Sequence, residues 1–131
     1  MRRDMELIRA ILLKLEELPA RPGTVHALSI HDEELKVEDY NPKVVGEHLE
    51  MLLDAGLIIS VDGELHNGSR ILFQRISWQG HEFLATVRDK EIWEQTKKAL
   101  RAGGVETIKA VWDIAKAIGT NELKRRTGLE V

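Results

Sequence analysis

The chain has 131 residues, 43% apolar and 31% charged, which fits one globular domain with a helical extension and excludes a disordered chain. It has no cysteine, so disulfides, thiolate nucleophiles and cysteine-ligated zinc are excluded. The net charge is −3 and is unevenly spread: −5 through Val61, mildly basic after it. No apolar run approaches the length of a membrane span. Arg2 and Arg3 are followed by Asp4 and Glu6 rather than by an apolar signal core, so a cytoplasmic protein is expected.

Residues 4–18, DMELIRAILLKLEEL, predict a helix. Ile8, Ile11, Leu12 and Leu15 recur at helical spacing, and Asp4 is placed to cap the first turn. Pro19, Pro22 and Gly23 break the pattern. Residues 24–41 offer a short strand from Val25 to Ile30, then an acidic piece readable as a helical turn or as extended chain. Residues 42–55, PKVVGEHLEMLLDA, predict a second helix with Asn41 as cap and Pro42 in the first helical position. Val45, Leu49 and Leu52 make its apolar stripe, with His48 packed beside them. Gly56 ends it in a left-handed conformation, and Leu57–Val61 reads as a strand. Asp62–Gly63 and Asn67–Gly68 are turn signals. Arg70–Ile76 is the returning strand of an antiparallel hairpin, with Ile71, Phe73 and Arg75 on one face by strict alternation.

The stretch SWQGHEFL at 77–84 has the look of an active site but reads better as a joint. Ser77 caps the next helix, and Gly80 marks a close approach to a neighbouring backbone. That helix is expected to run to about Lys90. A further one opens at Asp89 and ends near Ala102 ahead of Gly103–Gly104. Residues 105–118, VETIKAVWDIAKAI, predict a strongly apolar helix ended by Gly119, with a fraying tail beyond. Its apolar face is wider than one contact needs, so a homodimer is expected.

Helix, short extended piece, helix and a two-stranded wing, followed by helices, predict an α+β chain. Residues 1–88 form a winged-helix-like domain, and residues 89–131 form a C-terminal helical extension packing on it or forming a dimer seam. No full supporting helix is evident before Asn41. HLEMLLDAGLI at 48–58 resembles the signature around the recognition helix of bacterial winged-helix regulators. RRDMELIR at 2–9, the same HLEMLLDAGLI, and ISWQGHEFLATVRDKEIW at 76–93 together resemble a bacterial and prophage family known as domain of unknown function 2513. Ser77 stands where that family has threonine, and Ala85 where an acidic residue is frequent. This family resemblance carries no activity with it.

The winged-helix resemblance implies a non-catalytic regulator that binds duplex DNA. Asn41 and Lys43 open the helix that would enter a groove, Arg70 and Arg75 lie at the wing, and Lys124, Arg125 and Arg126 lie in the tail. Glu47, Glu50 and Asp54 on the same helix oppose phosphate. The alternative is a protein-interaction module acting on a host or phage protein. Glu47 and Glu50 would supply an acidic surface, and Trp93 and Trp112 would be anchors unless they fill the core. No enzyme, metal site or cofactor is expected. His26 and His31 lack the i, i+4 spacing of helical ligands, Glu47–His48 and His81–Glu82 are adjacent pairs that diverge by about 100° on a helix, and no phosphate-binding glycine loop occurs.

Overall fold

A computed structural model of the chain describes residues 2–19, 23, 25–61, 63, 65–67, 70–104 and 106–128. The elements run α1 (Met5–Glu16), β1 (His26–Ser29), a single 3₁₀ turn (Glu33–Leu35), α2 (Pro42–Asp54), β2 (Ile58–Ser60), β3 (His66–Asn67), β4 (Arg70–Ile76), α3 (Trp78–Val87), α4 (Lys90–Gly103) and α5 (Ile108–Thr127). The protein is therefore α+β. It divides into two compact units, Met1–Glu82 and Phe83–Val131, and the division falls within α3.

In the first unit, Asp4 caps α1 as expected, its Oδ1 accepting the Leu7 N–H at 3.2 Å. Ile8, Ile11, Leu12 and Leu15 are buried, and Met5 and Leu7 widen the face. α1 packs against α2, the 3₁₀ turn and β4. Asn41 caps α2 by accepting the Lys43 N–H at 2.9 Å, with Pro42 in the first turn. Val45, Leu49 and Leu52 are buried, as their stripe predicts. Among the described residues between α1 and α2 there are β1 and one 3₁₀ turn, and no full helix.

β4 is the centre of the sheet and is antiparallel to each of its partners, β1 on one side and β2 and β3 on the other. The β1 pairing is regular from His26 opposite Phe73 to Ser29 opposite Arg70. The β2 pairing is not. Ile59 faces Arg75, yet the next residue, Ser60, faces Phe73, so Gln74 is an extra residue in β4. Such a bulge reverses the in–out order beyond it. Ile71, Phe73 and Ile76 are buried, while Arg70 and Arg75 are exposed. Strict alternation places Arg75 on the side of Ile71 and Phe73; the bulge turns it to the opposite face. The two turn signals of the hairpin fall partly on Asp62 and Gly68, outside the described residues.

The strand pair β2–β4 is fastened to α3 as expected. Gly56 ends α2 at φ +73°, and the Ser77 N–H donates to the Leu57 carbonyl at 3.0 Å. The Ser77 hydroxyl donates to the Gly56 carbonyl at 2.5 Å and accepts the Gly80 N–H at 3.0 Å. A Cβ on Gly80 would sit 2.1 Å from the Leu57 carbonyl oxygen and 2.6 Å from Ile76 Cγ2, so only glycine fits.

In the second unit, α4 and α5 pack against each other. Asp89 caps α4 by accepting the Ile92 N–H, and Gly104 ends it at φ +71°. Thr107 caps α5, accepting the Ala110 N–H at 3.0 Å; Val105, where the sequence reading starts this helix, lies outside the described residues. Gly119 does not end α5. The helix continues to Thr127 and stops at Gly128, φ +71°. Glycine in a helix interior costs only about 1 kcal/mol relative to alanine. The turns beyond it are held by ion pairs from Glu122 to Arg125 and Arg126, about one turn on.

Candidate nucleic-acid interface

The exposed side of α2 carries Asn41, Lys43, Glu47 and Asp54. Two other residues of α2 are engaged rather than open to a ligand. Gly46 is buried, with space for a Cβ limited by Ile30 Cγ2 at 3.3 Å. Glu50 is bonded through Oε1 to Nδ1 of His66, which ties the middle of α2 to β3. His66 carries no local signal in the sequence, because its partner lies 16 residues away on another element.

The start of α2 is placed by a second polar cluster. His48 is fully buried: its Nδ1 lies 2.9 Å from the Val44 carbonyl, and its Nε2 accepts the Asp4 N–H at 2.9 Å. Those two bonds require the neutral ring with the proton on Nδ1. His48 is thus a structural bridge between the start of α1 and α2, with both nitrogens engaged. Asp4 Oδ2 accepts the Tyr40 hydroxyl at 2.7 Å. Burial, then the hydrogen bond to Asp4, pushes the Tyr40 phenol up to about 12. Asp39 precedes Tyr40 with φ +71°, a left-handed conformation that aspartate tolerates better than most side chains.

On the sheet, Arg70 and Arg75 share the outer face of β4 because of the bulge at Gln74. Their cross-strand partners are Ser29 and Asn67 for Arg70 and Ile59 for Arg75, none of them charged. Trp78, in the first turn of α3, points away from the buried Gly80 and is 74% exposed. Its position opposite Gly80, Phe83, Leu84 and Val87 is readable from helical spacing, so sequence could have found it.

The second unit holds the remaining candidates. Arg125 pairs with Glu122, Nη2 to Oε2 at 2.7 Å, and with Glu91 at 3.7 Å. Arg126 reaches Asp89 at 3.0 Å, Glu122 at 3.3 Å and Glu91 at 3.4 Å. Bonding to Arg126 holds the Asp89 carboxyl below its usual range, and bonding to Arg125 does the same for Glu122. The reciprocal bonds raise both guanidinium groups, Arg125 through Glu122 and Arg126 through Asp89. These arginines are clamps between the end of α5 and the start of α4, with Lys124 half-buried on the same turn. Trp93 is 1% exposed and fills the core. Trp112 is half-buried, packs edge-on against Phe83 at 5.7 Å, and lies under Lys116 Nζ at 5.0 Å from its ring centre.

Among the described residues, no helix is long and apolar enough to cross a membrane, and no group of three or more His, Asp or Glu side chains is arranged to hold a metal ion. No solved structure matches the chain. A protein of Haemophilus influenzae titled "Uncharacterized protein" is 28% identical over 119 residues, covering 90% of this chain and 95% of the relative. The three motifs at the start of α1, across α2 and β2, and along α3 fall inside a family match spanning residues 2–106. The chain belongs to the family described as Hypothetical protein (DUF2513).

Proposed function

We propose that the chain is a non-catalytic, winged-helix-type regulator of the cytoplasm that binds duplex DNA. The observation that carries this reading is the order helix, strand, short turn, capped helix and two-stranded wing, with the sheet arranged β1–β4–β2. That arrangement leaves the Asn41–Lys43 end of α2 and the outer face of β4 on the surface of one unit. A homodimer seam along α5 is part of the proposal, supported by Ile114 and Ile118, which this single chain leaves half-covered. The test is a mobility-shift titration against random-sequence duplex at low salt. A shifted complex is expected, and its absence with folded protein overturns the reading.

A second reading has its own support. Glu47 and Asp54 outnumber Lys43 on the exposed side of α2, and Glu38 and Asp39 precede it. An acidic helix face suits a basic protein partner better than phosphate. Capture of a defined protein from lysate, undiminished by nuclease and lost in Glu47→Lys, is the outcome that favours this reading over DNA.

A further inference from the structure

We propose that the outer face of β4, rather than the groove-facing side of α2, makes the phosphate contacts, with Arg70 and Arg75 as the cations. The inference rests on the DNA reading above and names how that surface engages. Residues five apart on a regular strand lie on opposite faces, because the side-chain period is two. Arg70 and Arg75 would then be split between core and solvent. The extra residue Gln74 brings them to one side and sends Ile76 inward to the core. Bulges of this kind re-aim a side chain at functional surfaces.

The charge pattern favours the same face. The residues paired with the two arginines are Ser29, Asn67 and Ile59, so no carboxylate stands directly across from either cation. α2 instead sets Lys43 among Glu47, Asp54 and the preceding Glu38 and Asp39. With one of the five steps between them taken up by the bulge, the two arginines are about 13 Å apart along the strand, comparable with the roughly 12 Å width of the major groove. The two guanidinium groups can therefore reach phosphates on opposite sides of a groove. Trp78 lies three residues beyond Arg75, 74% exposed, on a helix start fixed by the Ser77 and Gly80 contacts. Its indole N–H is a donor and its ring a flat wall for a sugar edge.

The test uses the full chain and a labelled random duplex, followed by fluorescence anisotropy across a salt series. Arg70→Ala and Arg75→Ala are each expected to weaken binding about three- to tenfold at low salt and to reduce the log–log salt slope by about one per bound chain. The double variant should lose about two from the slope per bound chain. Lys98→Ala, which removes an exposed cation from α4, is expected to match wild type. Circular dichroism confirms that each variant is folded. If wild type binds and the arginine variants keep its affinity and slope while Lys43→Ala weakens it, α2 is the contact surface and the proposal is overturned. If wild type binds no duplex at any salt, the DNA reading fails and this one with it.

Discussion

Asp4 is used three ways: its carboxylate caps α1 and accepts the Tyr40 hydroxyl, while its backbone N–H is taken by His48. Tyr40 is the only tyrosine in the chain, so tyrosinate absorbance near 295 nm reports on it alone. The folded protein is expected to titrate at about 12 rather than at the ordinary value near 10. Asp4→Asn should move the midpoint part of the way back, because burial remains. The native state favours the protonated phenol. Its contribution to stability is therefore complete below about 10 and is lost as pH rises through about 12. A wild-type midpoint near 10 would contradict the Asp4–Tyr40 contact. Two glycines give opposite expectations for one substitution. Gly80→Ala places a methyl 2.1 Å from a backbone oxygen and should cost about 3 kcal/mol or more. Gly119→Ala meets only Ile92 Cδ1, at 3.9 Å, and should gain about 0.5–1 kcal/mol from helix propensity. Urea denaturation of the two variants checks both signs.

At the scale of elements, the legible part of the fold was the part with local causes. The caps of α1 and α2, the left-handed stop at Gly56 and the Ser77–Gly80 joint depend on residues within a few positions, or on a contact that only glycine permits. What the sequence hid has distant causes. The bulge at Gln74 is set by how β2 pairs with β4, so alternation alone misplaced Arg75. Gly119 reads as a helix stop until the ion pairs that hold the last turns of α5 are seen. The same pairs explain why Arg125 and Arg126, basic in sequence, are engaged with carboxylates in the fold. The Glu50–His66 bond links elements far apart in the chain and had no local signal. The joint itself is testable. Ser77→Ala removes both the cap and the bond to the Gly56 carbonyl and should cost about 1–2 kcal/mol in chemical denaturation. Duplex affinity should be unchanged where the variant is folded. Lost binding in a folded variant would make Ser77 part of the site rather than of the scaffold.

For the whole molecule, a net charge of −3 makes DNA binding a question of distribution rather than of sum. The acidic side of α2 works against phosphate, the tail arginines are neutralised within the second unit, and the outer face of β4 keeps two arginines aligned by one extra residue. The family match to residues 2–106 covers all of the first unit's described residues. The central question is whether a weakly acidic protein holds duplex DNA through a small cationic face. The most direct measurement is the salt dependence of wild-type affinity for random duplex. Two phosphate contacts per chain predict a log–log slope of about −2 for a monomer and about −4 for a dimer. An affinity indifferent to salt, or no binding at low salt, would contradict it.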